Sequence, residues 1–132
     1  MKKKNNTPQH YAIPLLRIGL SLVFLWFGIK QLLTPSWGIA LLPSWTHYLG
    51  ITETAFVIAN GLFEVVLGIL LILGLFTRCA AILLTLHLVG ILLTLGYNEI
   101  AVRDFGLMMG TLAVALHGTD RLCLENTWRM AP

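Results

Sequence analysis

Glu64 stands inside a long apolar run, and Asn60 stands four positions before it. On a helix that spacing puts the carboxylate and the amide on one face. An ionisable group deep in a bilayer costs several kcal/mol, so it faces a protein interior, water or a partner rather than lipid. Gly61 and Gly68 flank the pair, and small residues let another helix approach that face closely. A carboxylate held this way can carry a proton or hydrogen-bond the polar end of a ligand. The structural alternative is an ion pair with Arg103, Arg17 or Lys30.

The other ionisable residues are read as charge partners for this spot. Arg103-Asp104 precedes Gly106, Gly110, Ala113 and His117 at spacings of three and four. Gly106 to Gly110 forms a G-x-x-x-G packing pattern, which predicts that Arg103 points inward and toward Glu64. A guanidinium there can hold Glu64 or bind a carbonyl or anionic group. Asp104 near a helix N-terminus is also favourable simply as a first-turn acid. Lys30 reads equally as a site residue or as a lysine reaching up to the headgroups. Arg17 shares a face with Ser21, Phe24 and Gly28, a setting that fits packing. His87 reads first as a hydrogen-bonded packing residue and second as a proton relay. His10, His47 and His117 are dispersed, so no metal or haem site is expected.

Several chemistries are excluded by what is missing. Cys79 and Cys123 do not form a Cys-x-x-Cys pair, so thiol exchange by this chain alone lacks its usual partners. No phosphate-cradling glycine loop, nucleophile elbow or metal-ligand cluster is present. The basic residues are scattered rather than interleaved with aromatics, which argues against nucleic acid.

Positioning these groups requires helices that cross a membrane. The 132 residues are 57% hydrophobic and 11% charged, whereas a soluble domain carries about a quarter charged residues. Four apolar runs, about 13–33, 53–76, 79–95 and 101–117, are each near the ~20 residues needed to span hydrocarbon. The fold class expected is an all-α, integral membrane four-helix bundle in one domain. Thr52 before Glu53 suits an N-cap. Gly74, Gly96 and Gly118 fall where helices finish. The connection at about 34–51 has no charged residue but carries Trp37, Trp45 and Tyr48, so it reads as an interfacial cap. Thr34-Pro35 and Leu42-Pro43 read as the starts of two short helices within it. Positive residues gather at the termini and at the second-to-third connection. Both tails, about 1–12 and 118–132, are therefore expected on the cytoplasmic side of the inner membrane.

In order and spacing, three segments resemble the DoxX family. They are Leu16-Arg17-Ile18-Gly19-Leu20 through Trp26-Phe27-Gly28-Ile29-Lys30-Gln31-Leu32, Gly61-Leu62-Phe63-Glu64 through Thr77-Arg78, and Val102-Arg103-Asp104-Phe105-Gly106. Their order and spacing carry the likeness more than any single motif. The resemblance implies a small four-helix membrane protein of a group associated with quinone-linked sulfur oxidation and thiol redox homeostasis. It implies Lys30, Glu64, Arg103 and Asp104 as site residues. A complete sulfur-oxidising enzyme is not expected from these four spans by themselves.

The expectation is a subunit of a membrane redox complex with a quinone pocket in the outer half of the bundle. Glu64 would exchange the proton that accompanies reduction, and Asn60, Arg103, Asp104 and Lys30 would hold the quinone. A redox partner protein would supply electrons, lipid would surround the bundle, and assembly with a second copy stays open. The alternatives are a non-enzymatic scaffold, in which buried polar groups fix helix register, and a small transporter.

Overall fold

The computed structural model describes residues 8–129. Among them, four helices are long and apolar enough to cross a membrane: α1 (Gln9–Leu33), α3 (Glu53–Leu73), α4 (Thr77–Leu95) and α5 (Glu99–His117). Two short helices, α2 (Pro35–Ile39) and α6 (Leu124–Arg129), and one 3₁₀ helix (Ser44–Leu49) complete the described chain. The architecture is an all-α bundle. Of the tail expected at about 1–12, residues 1–7 lie outside the described range, as do the residues from 130, and α1 already starts at Gln9.

The helix ends follow local chemistry. The Thr52 hydroxyl accepts from the Ala55 N–H at 3.2 Å and caps α3. The Asn98 side chain does the same for Ala101 at 2.8 Å and starts α5 at Glu99. Asp104 is therefore in the second turn of α5, where a first-turn role no longer applies. Gly74 takes a left-handed conformation with φ of 70° and ends α3 at Leu73, short of the expected 76. A side chain at Gly74 would also stand 2.5 Å from the Cys123 backbone, so the turn and the C-terminal segment both require glycine.

The cap is built much as its prolines predict. Pro35 opens α2 and Pro43 precedes the second short helix, which is 3₁₀ rather than α. A Cβ at Gly38 would lie 2.5 Å from Val57, which shows how tightly α2 sits on α3.

Packing divides the bundle into two close pairs. α1 packs along α3, and α4 packs along α5, with sparser contact between the pairs. The α1–α3 contact is antiparallel and glycine-mediated. A Cβ at Gly28 would stand 2.8 Å from the Gly61 carbonyl, and one at Gly61 would stand 2.9 Å from the Gly28 carbonyl. Leu20, Phe24, Leu67, Leu71, Leu84 and Val114 form the centre of the core. The packing stripe expected on α5 is different. Arg103, Gly106, Ala113 and His117 are exposed, and α5 buries Ala101, Asp104, Thr111, Val114 and Ala115 instead. The G-x-x-x-G pattern misleads because only Gly110 meets a neighbour, Leu20 of α1, while a Cβ at Gly106 would meet nothing within 4 Å.

Candidate functional site

The close approach of α1 and α3 brings Gln31 against the turn that holds Asn60 and Glu64. Gln31 Nε2 donates to Glu64 Oε2 at 2.9 Å. Asn60 Nδ2 donates to Gln31 Oε1 at 2.8 Å and to Glu64 Oε1 at 3.3 Å. From α4, His87 Nε2 stands 3.0 Å from Glu64 Oε1. Glu64 is 5% exposed. One carboxylate is thus gripped by three helices, and it faces the protein interior.

Hydrogen bonds in which one partner is ionised are roughly twice as strong as neutral ones, and low polarity around them strengthens the network further. A carboxylate and an imidazole at 3.0 Å form a pair able to hold and pass a proton. Phe63 packs beside the His87 ring, with centroids 5.2 Å apart.

The cluster forms part of the wall of a cavity of about 550 Å³, within the usual size range of small-molecule sites. Most of the lining is apolar, with Phe27, Trp37, Trp45 and Phe56 among it. Gln31, Asn60, Glu64, His87, Arg103 and Asp104 are among its hydrogen-bonding or charged members. The mixture is a greasy volume with convergent polar groups on its walls, the usual make-up of a ligand pocket.

The predicted cations are placed differently from one another. Arg103 lines the cavity, but its guanidinium goes to Asp104 at 2.8 Å and lies 4.8 Å from the Phe27 ring, with the side chain 51% exposed. Asp104 is buried beneath it. Lys30 is outside the lining, with its ammonium 4.9 Å from the Trp26 ring and 5.1 Å from the Trp37 ring. Successive residues on a helix point about 100° apart, so Lys30 turns away where Gln31 turns in.

None of the anticipated ion pairs of Glu64 with Arg103, Arg17 or Lys30 forms. Arg17 is occupied at the C-terminal end of α3. It is 1% exposed, its Nε donates to Asp120 Oδ2 at 2.7 Å, and its Nη1 donates to the Leu71 and Ile72 carbonyls. The last carbonyls of a helix have no partner within it, so Arg17 finishes α3 while neutralising Asp120. Burial alone raises the Asp120 carboxyl. The Arg17 hydrogen bond, the Leu122 N–H, the Arg17 charge and Cys123 together outweigh it and hold the group below 3.8.

With this geometry in view, comparison with known families is direct. The DoxX family model matches residues 12–97, well over half of the chain. The protein belongs to the DoxX family. The match covers α1, the cap, α3 and α4, and so includes Gln31, Asn60, Glu64 and His87 of this DoxX protein. No curated protein and no solved structure matches the chain significantly. The family assignment fixes a multi-pass membrane protein.

Gln31 and His87 were undervalued by sequence reasoning. Gln31 carries no charge and ends an apolar helix, so hydropathy gives it little weight. Its signal was the pair of glycines, Gly28 and Gly61, that bring α1 onto α3. His87 is hydrogen-bonded, as its packing reading required, but its partner is the carboxylate rather than a backbone group.

Proposed function

We propose that this DoxX-family protein is the quinone-handling membrane subunit of a redox assembly whose electron donor is a separate partner protein. The observation that carries the reading is the Glu64–His87 pair, buried at the wall of an apolar cavity that also presents Arg103. The residues present fit a quinone: an apolar volume takes its ring and tail, and polar donors meet its carbonyl oxygens.

Bound there, a quinone supplies two-electron, two-proton chemistry. Arg103 would hydrogen-bond one carbonyl oxygen and stabilise negative charge developing on it. Glu64 and His87 would hold the proton and release it toward that oxygen. Gln31 and Asn60 would position the carboxylate, and Asp104 would keep Arg103 oriented. Lys30 would act through Trp37, fixing the cap over the cavity by cation–π contact. Orientation by positive residues puts both tails on the cytoplasmic side of the inner membrane. Assembly with a second copy is compatible with this arrangement.

The test is a quinone-binding titration on the purified protein. Glu64→Gln and Arg103→Ala are each expected to weaken binding by about tenfold, about 1.4 kcal/mol. Wild-type binding by both variants would remove the reading.

One observation favours a second reading. Every buried side-chain nitrogen and oxygen among the described residues already has a hydrogen-bond partner, which is what a register-fixing cluster without a ligand requires. On that reading, Glu64→Gln lowers thermal stability and leaves redox activity of the assembly unchanged.

A further inference from the structure

The lining of the cavity is not confined to inward helix faces. Leu86, Gly90 and Leu93 of α4 contribute to it, yet Leu86 and Leu93 are 61% and 81% exposed and Gly90 is exposed as well. A residue that belongs both to a cavity wall and to the outer surface marks an opening. The opposite edge is α3, which lines the cavity through Phe56 and Asn60, and contact between the two helix pairs is sparse. A Cβ at Gly90 would meet nothing within 4 Å, so the gap beside it is unfilled.

This opening lies within two membrane-crossing helices, one turn from His87, and therefore faces acyl chains. The cap side is covered by side chains, although Leu41 and Trp45 there also line the cavity and are 41% and 44% exposed. Trp37 stacks on Phe27 at 6.0 Å, Trp45 meets Phe56 edge-on at 6.3 Å, and Gly38 sits tightly against Val57. Aromatic rings and a closely packed short helix lie over the cavity on the cap side, while at Gly90 no side chain covers it on the α4 side.

The geometry points to lateral loading: the ligand passes from the bilayer between α3 and α4 at Gly90, sets its polar head at Glu64 and His87, and leaves its apolar tail in the gap. The ligand class is an amphiphile with a compact hydrogen-bonding head and a long apolar tail. This rests on the ligand-binding reading above and adds the route and the tail requirement.

The experiment compares a tailless benzoquinone with the same head carrying a long isoprenoid tail. Binding of each is measured by quenching of tryptophan fluorescence in nanodisc-embedded full-length protein. Gly90→Trp places an indole in the gap, at a position where a Cβ meets nothing within 4 Å, and Leu86→Trp narrows the same gap should the first variant fold poorly. Gly19→Trp, on an open face of α1 outside the cavity, controls for added bulk. The expected result is a loss of about tenfold or more in affinity for the tailed compound in the gap variants. The tailless compound should stay within about twofold of wild type, and Gly19→Trp should change neither. Equal affinity of wild type and gap variants for the tailed compound overturns lateral loading while leaving the pocket intact. So does an equal loss for both compounds. Failure of the wild type to bind either compound removes the quinone pocket, and lateral loading with it.

Discussion

Two buried carboxylates, one midway along the bundle and one where α3 ends, have been solved in opposite ways. Asp120 meets an arginine in a buried contact that also finishes the end of α3, away from the cavity that Glu64 lines. Glu64 meets two amides and an imidazole beside a cavity of about 550 Å³. The first arrangement has a permanent charge opposite a permanent charge. The second uses neutral amides and a titratable ring, so a proton can be added or removed without abandoning a fixed countercharge. The contrast separates a group that closes a structure from one placed to do work.

The largest effect should come from breaking the closed pair. Arg17→Ala leaves Asp120 buried without its partner, and removing one member of a buried pair costs about 3–5 kcal/mol. Thermal melting in detergent should show the loss, together with reduced yield of folded protein. Arg17→Met combined with Asp120→Leu should restore most of it, because a well-packed apolar pair of similar volume is often neutral. A single variant melting like wild type would mean that this contact does not close the bundle.

The same pair has a pH signature. The folded-state Asp120 carboxyl is held below 3.8, its ordinary value. A carboxyl depressed on folding contributes stability that is complete above the unfolded value and drains as pH falls through the folded one. The stability difference between wild type and Asp120→Asn should therefore be constant near neutral pH and shrink as pH falls past the ordinary carboxyl value toward the lower folded one. A difference already shrinking near neutrality would assign the effect to another group.

Next in size is the glycine contact that delivers Gln31 to Glu64. At Gly28 a methyl would press on the Gly61 carbonyl at 2.8 Å, backbone against side chain, with no flexible group to yield. Gly28→Ala should cost about 1–3 kcal/mol by overpacking. It should also weaken ligand binding, because the helix shift carries Gln31 with it. Glu64→Gln tests the open cluster more gently. One oxygen, accepting from the Gln31 amide or from the Asn60 amide, becomes a donor facing that donor, a mismatch of about 1–3 kcal/mol. Relative to Arg17→Ala, its loss should fall more on binding and less on melting. If both variants shift melting and binding in the same proportion, the distinction between the two carboxylates fails.

How much of this was legible depends on the kind of signal each group emits. Glu64 and Asn60 stand out because a charge and an amide four apart interrupt an apolar run, and hydropathy registers them at once. The four spans and the capped, glycine-ended helices come from equally local signals. The Arg17–Asp120 pair joins positions 103 residues apart, and nothing in either neighbourhood announces the other. Arg103 illustrates the opposite failure, since its stripe of small residues is a strong local pattern that the fold leaves facing outward. Spacing defines a helix face but not what that face meets.

The smallest expected effect isolates that lesson. Gly106 and Gly110 are chemically the same and belong to one motif, yet a Cβ at Gly110 would stand 3.3 Å from Leu20 and one at Gly106 would meet nothing. Gly106→Ala should therefore change stability by no more than about 0.5 kcal/mol, or raise it, since alanine is the better helix former by about 1 kcal/mol. Gly110→Ala should depend on whether the Leu20 side chain gives by a few tenths of an ångström. Melting of the two alanine variants side by side decides the matter. A loss of more than about 1 kcal/mol at Gly106 would mean that this face of α5 is covered in the membrane. A second copy of the chain would then be the first candidate to cover it, because nothing in the described residues does.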